Sequence, residues 1–170
     1  IFSNWTIGEY REVSPSVFGQ DYGFSNDPTT LVQTSIDSSK KVIYIKLLLY
    51  QQGLTTSLIG SLNNKFANDS LIIGDSAEPR LITELKALGN NVEPAIKGAD
   101  SIVYGISLLQ DYDLVIDPES IDLIKELNNY SWLERKSKTP CDNYNHALDA
   151  VRYAVSYQLA NPFKNTYNIL

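Results

Sequence analysis

The hydrophobic pattern changes character after Tyr50. Before that point apolar residues alternate or run in short strand-length blocks; after it, helical spacing and short apolar runs take turns. Val17 to Asp21 predicts a short strand, followed by a polar turn through Ser25-Asn26-Asp27-Pro28. Thr30 to Ile36 predicts a second strand, and Asp37-Ser38-Ser39-Lys40 the next turn. Val42 to Tyr50 is the strongest strand of the chain. These three segments form an antiparallel meander. Leu54, Leu58, Ile59, Leu62 and Phe66 then recur at helical spacing and predict a helix over 54–67. Leu71 to Asp75 is a buried strand, and Pro79 suits the first turn of a helix with Leu81, Ile82, Leu85 and Leu88 on its apolar face and Gly89 as its stop. Asn91 to Ile96 is strand-like. Ile102, Val103, Ile106 and Leu109 mark a third helix, Leu114 to Ile116 a short strand, and Asp117-Pro118-Glu119 opens a helix carrying Ile121, Ile124 and Leu127. Trp132 to Lys138 predicts a strand or hairpin. A last helix runs from about Asn145 to Leu159, and a frayed polar tail is expected to end the chain.

Length and composition narrow this picture. With 170 residues there is room for one domain with a substantial core, so 1–170 is expected to be a single domain. The chain opens on Ile1 and contains no methionine, which predicts a piece of a larger protein. No apolar run approaches the length of a membrane span, and no membrane partner is expected. One cysteine, Cys141, excludes an internal disulfide and a cysteine-built zinc site. One histidine excludes a histidine-rich one. A formal net charge of −6 argues against strong nonspecific attraction to a polyanion, so another domain or partner is expected to grip any nucleic acid. The absence of GxxxxGK[ST], GxGxxG and GxSxG removes the usual signals for ATP hydrolysis, dinucleotide binding and a hydrolase elbow.

Candidate chemistry lies in three aspartates. Asp21 sits between Gly19 and Gly23, which would let backbone and ligand approach closely, although an aspartate in a glycine-punctuated turn reads the same way. Asp75 closes the run Leu71-Ile72-Ile73-Gly74, at the strand end where sheets flanked by helices gather ligands; it would equally serve as a helix cap. Asp149 lies in the first turns of the last helix, three residues after His146 and on the same face, with Tyr153 continuing the stripe and Ala147, Ala150, Val151 and Ala154 turned to the core. A favourable surface aspartate beside a bystander histidine is the plainer account of that pair. Three carboxylates brought together would be costly without compensating cations. Adjacent strands about 4.8 Å apart suit a pair of divalent ions about 3.5–4 Å apart. Asp21, Asp75 and Asp149 are therefore the expected ligands of two magnesium or manganese ions, with His146 as an auxiliary ligand or proton carrier. Such ions would activate water and stabilise a departing 3′ oxygen. Lys97, just before a helix, is a phosphate-binding candidate or an exposed loop lysine. Arg135, Lys136 and Lys138 beside Trp132 form the one dense basic patch, either a DNA-backbone contact or a solvated hairpin.

The order of elements, a meander and then alternating strand and helix, is the mixed sheet flanked by helices of RNase H-like domains. Gly19-Gln20-Asp21-Tyr22-Gly23 with Asn26-Asp27-Pro28-Thr29, Gly74-Asp75-Ser76-Ala77-Glu78-Pro79 and His146-Ala147-Leu148-Asp149-Ala150-Val151-Arg152-Tyr153 resemble the nuclease domain of tailed-phage large terminase subunits. Lys97-Gly98 with Asp100-Ser101-Ile102 and Gly105-Ile106 resembles the segment between the second and third acids there. The matches run from about residue 17 to 157. The resemblance implies an RNase H-like, two-metal endonuclease of low sequence preference that cuts concatemeric viral double-stranded DNA during packaging. It carries over Asp21, Asp75 and Asp149 as metal-binding catalytic acids and His146 as a further active-site residue. It also implies an ATPase domain preceding Ile1, the portal protein and the small terminase subunit as partners, and the infected host's cytoplasm rather than the mature virion as location. The segment from Arg135 to Asn145 is short beside some relatives. Another RNase H-like nuclease, of resolvase or transposase type, and a noncatalytic docking module whose acids merely cap turns are the competing readings.

Overall fold

The computed structural model describes residues 1–162; the expected tail lies largely outside the described residues. The strands are β1 (Trp5–Ile7), β2 (Val17–Gln20), β3 (Thr29–Asp37), β4 (Val42–Gln51), β5 (Ile72–Gly74), β6 (Val92–Pro94), β7 (Asp113–Ile116), β8 (Trp132–Leu133) and β9 (Lys136–Pro140). The helices are α1 (Thr56–Phe66), α2 (Pro79–Ala87), α3 (Ser101–Gln110), α4 (Ile121–Asn129) and α5 (His146–Ala160). Seven strands form one sheet in the order β1-β7-β4-β3-β2-β5-β6, and β8 and β9 form a separate hairpin. β2, β3 and β4 are the expected antiparallel meander. The other pairings in the large sheet are parallel, and each pair is accordingly joined by a long connection that includes a helix.

Local chemistry explains most element ends. Asp37 Oδ1 accepts from the Lys40 amide at 3.0 Å and the Ser39 hydroxyl at 2.8 Å, closing the β3–β4 turn. Thr55 caps α1 by accepting from the Leu58 amide, Pro79 opens α2, and Gly89 leaves that helix with φ of 89°. The observed strands depart from the expected ranges by a residue or two, which matters at two places: β2 stops at Gln20 and β5 at Gly74, so Asp21 and Asp75 stand just past their strand ends.

One strand was not expected. β1 is a three-residue edge strand beside β7, and Thr6 and Ile7 are exposed, so no alternation betrays it. Another difference concerns α4, whose buried residues are Leu123, Glu126 and Leu127, while Ile121 points to solvent. The tertiary contact with α5 selects that face.

Helices cover both faces of the sheet. α1 and α2 share a core with Phe18, Leu31, Leu49, Ile72 and Val92, through Ile59, Ile82 and Leu85. α3, α4 and α5 share the larger core with Val32, Ile43, Ile45, Leu114 and Ile116. Each such side chain contributes roughly 1.5–3 kcal/mol when fully buried, so the two cores fix the sheet between its helical layers. α5 lies across β2 and β3 and is packed by α3 and α4 as well. That is why Arg152 and Tyr153 are buried along with its alanine face. Among the described residues, no helix is long and apolar enough to cross a membrane.

Candidate active site

The site starts from register. β2 and β5 are parallel neighbours, with Gln20 opposite Gly74, so Asp21 and Asp75 emerge side by side from the same edge of the sheet. The Asp75 amide donates to the Gln20 carbonyl at 3.0 Å and the Thr30 amide to the Asp21 carbonyl at 2.9 Å, extending the ladder past both strand ends. Beneath Asp21, buried Gln20 exchanges two amide hydrogen bonds with Asn63 of α1 (2.7 and 2.8 Å), and Asn63 donates on to Asn90 at 3.0 Å. A fully satisfied buried network of this kind rigidifies the strand end that carries the acid.

The third acid arrives with α5. Gly19 has no side chain because the backbone of α5 occupies the space: a methyl there would fall onto the Ala150 carbonyl group and lie 3.2 Å from the Ala154 methyl. The close approach expected at Gly19 is therefore real, but its partner is a helix and not a ligand. At Gly23 the neighbour is the backbone of Asp27 and Pro28. Asp149 precedes Ala150, so this contact carries its carboxyl over β2 to the other two.

Cationic side chains of the chain itself are paired with this cluster. Lys97 makes an ion pair with Asp75, and its ammonium lies 5.3 Å from the centre of the Tyr153 ring. Arg152 donates to Asp149 at 3.0 Å. His146 Nδ1 stands 3.3 Å from Asp21 Oδ2, and its Nε2 3.5 Å from Asp27 Oδ1. Asp75 also accepts from the Ala77 amide at 2.9 Å, so it shapes the turn before α2 while remaining part of the cluster. Sequence reasoning missed Asp27 and the pairing role of Arg152. The second was visible as an i, i+3 spacing from Asp149; the first was not, because the contact spans more than a hundred residues.

Burial pushes Asp21 up from its ordinary 3.8 to about 6; His146 pulls it down, and the fields of Asp149 and Asp75 push it up again. Burial also raises Asp149, against the pull of Arg152. The hydrogen bond with Asp21 raises His146, opposed by its own burial. The group is thus a partly desolvated cluster of like charge, incompletely balanced by the chain's cations. Its donor chemistry, three carboxylates beside an imidazole, suits a hard divalent cation. As the side chains stand, no three His, Cys, Asp or Glu among the described residues close around a common point; Lys97 and Arg152 hold oxygens of Asp75 and Asp149.

A stability prediction follows from Asp21. Its folded value is raised, so its contribution is fully present below about 3.8 and is lost as pH rises through about 6. That interval corresponds to roughly 3 kcal/mol. In chelator, Asp21→Asn should melt higher than the parent at pH 8 and show no such advantage at pH 4. Identical pH slopes in thermal unfolding of the two proteins would refute the assigned cause.

The basic patch has a different placement. Arg135 lies in the two-residue turn between β8 and β9, with Lys136 and Lys138 on β9, so the expected hairpin forms and all three are exposed. Among the described residues, no ion pair joins them to the three acids, whereas Lys97 is part of the cluster.

A mixed sheet whose acids gather at the ends of neighbouring parallel strands, closed by a helix, defines an RNase H-like domain. The terminase RNase H-like domain family matches residues 21–157, and the chain belongs to that family. It is 34% identical over 146 residues to the large terminase subunit of Bacillus phage SPP1, a match covering 80% of this chain and 34% of that protein. The chain thus spans about a third of that relative's length. Among solved structures, it resembles the nuclease domain of the SPP1 large terminase with bound manganese (TM-score 0.78, 27% identity, 92% of this chain and 98% of that one). It shares its fold with the large terminase nuclease of thermophilic phage G20c with bound magnesium (TM-score 0.60, 20% identity, 87% and 84%).

Proposed function

We propose that this domain is a divalent-metal-dependent endonuclease of low sequence preference that cuts concatemeric viral double-stranded DNA during genome packaging. The observation that carries this reading is the convergence of Asp21, Asp75 and Asp149, from two strand ends and one helix, into one partly buried anionic cluster. The metal-bound terminase nucleases of SPP1 and G20c support it. Asp21, Asp75 and Asp149 hold the cations, two ions of magnesium or manganese, and His146 stands beside them as an auxiliary ligand or proton carrier. Bound divalent ions supply a nucleophile at neutral pH and charge stabilisation for the leaving oxygen.

The chain's own residues do the rest. Asp27 and Asp21 flank the His146 ring and set its orientation. Arg152 holds the Asp149 carboxylate in place. Lys97, the ion-pair partner of Asp75, would present its ammonium to a backbone phosphate. The Arg135-Lys136-Lys138 hairpin contacts the DNA backbone farther along. In this reading an ATPase domain of the same polypeptide supplies most of the grip on DNA, with portal protein and small terminase subunit as further partners in the cytoplasm of the infected host. The net charge of −6 leaves the domain alone poorly anchored to DNA.

The domain should nick supercoiled plasmid weakly in manganese, and a chelator should stop it. Agarose-gel nicking that proceeds equally well in chelator would overturn the reading.

A further inference from the structure

One buried carboxylate plays no part in the function proposed above. Glu126, on α4, is 1% exposed. Its Oε1 accepts from the Tyr50 hydroxyl at 3.0 Å and the Ala147 amide at 3.1 Å, and its Oε2 accepts from the Leu148 amide at 2.9 Å. Those amides belong to the first turn of α5, where backbone donors have no partner within the helix. Asn145, at the cap position, makes no side-chain capping bond, so α5 receives its cap from a neighbouring helix. The same turn contains the 2.6 Å bond from the Asp149 amide to the Asn145 carbonyl, and it presents His146 to Asp21.

We infer that Glu126 is a positioning residue, which pins the start and rotation of α5 and thereby sets His146 and Asp149 against Asp21. A carboxylate at a helix N-terminus is also favoured by the helix dipole. Burial pushes its carboxyl up while the two amides pull it down, so the contact works against desolvation. A core position on α4 facing β4 would ordinarily be apolar; what the glutamate adds is two acceptors aimed at one turn of a different helix.

This inference rests on the metal-site reading, and the test separates the two. Glu126→Gln keeps the shape, but a carboxamide cannot accept on both sides, so either the Ala147 or the Leu148 amide must face an NH2 group. Partners that orient metal ligands typically matter by about 10–100-fold in affinity, so manganese binding, measured by electron paramagnetic resonance, should weaken about 10-fold or more. Leu123→Val, a fully buried position on the same helix, controls for lost stability and should leave manganese affinity near that of the parent. If Glu126→Gln binds manganese like Leu123→Val while Asp75→Ala does not bind, the positioning role is overturned and the metal site stands. If Asp75→Ala binds like the parent, the metal-site reading fails. The positioning role is then decided by the imidazole resonances of His146, the chain's single histidine. A shift in Glu126→Gln beyond that in Leu123→Val supports it, and equal spectra overturn it. Should Glu126→Gln not fold, Tyr50→Phe, which removes one support of the carboxylate, is put through the same measurements: weaker manganese binding supports the role, parent-like binding overturns it.

Discussion

Asp75→Ala and Asp149→Ala should each reduce manganese-dependent plasmid nicking by about 10³-fold or more. The magnitude follows from the several kcal/mol that bound cations contribute to the transition state, at about 1.4 kcal/mol per tenfold in rate. Folding should survive Asp75→Ala, since its carboxyl is part of no hydrophobic core and its removal relieves like-charge repulsion. Asp149→Ala strands the buried Arg152 guanidinium and should also lower stability in thermal unfolding, so its nicking is read at a temperature where it is fully folded. Asp75→Asn sharpens the test: it can still accept from the Ala77 amide and so keep the turn before α2, yet it lacks the charge that a cation requires. Nicking should be lost in the asparagine variant as fully as in the alanine one. If Asp75→Asn and Asp75→Ala are folded and nick like the parent, the acids serve only turns and caps, and a noncatalytic docking role replaces the nuclease reading.

Gly19→Ala should damage both stability and nicking. The new carbon would stand 2.6 Å from the Ala150 carbonyl carbon, a backbone atom that cannot rotate aside. α5 or β2 must therefore move. Overpacking of this kind costs about 1–3 kcal/mol and occasionally more, and urea unfolding should read a loss at the upper end of that range. The same displacement carries Asp149 and His146 away from Asp21, and a misplacement of about 1 Å can cost about 10²-fold in rate. Nicking should fall even at temperatures where the variant is fully folded. Unchanged urea stability would show that the helix does not lie against the strand as described.

How much of this could be read along the chain depends on how local each cause is. Asp75 announces itself because an apolar run ends on it and Pro79 follows, both local signals. The three meander strands, the five helices and the β8–β9 hairpin were visible for the same reason: period, proline and turn residues are short-range properties. Asp149 with His146 was visible as a helix spacing, and so was Arg152, had charge complementarity been weighed there. β1 was not visible, since a three-residue edge strand with two exposed positions has no pattern and exists only because β7 offers it an edge. Lys97 read as either a phosphate-binding candidate or an exposed loop lysine, and its pairing with Asp75, 22 residues away, was not legible. Glu126 gave no local signal, because the amides it meets lie 21 and 22 residues away.

The order of amino acids by itself determined every element but the edge strand β1, the family, and which carboxylates stand at the ends of which segments, because hydrophobic period and turn chemistry act between near neighbours. Only the folded chain decided that β2 and β5 are parallel neighbours in register, that Gly19 admits α5, and that Lys97, Arg152 and His146 partner the acids. Those contacts join residues far apart in the chain, and their energies come from burial and Coulomb fields that exist only once the two cores have closed.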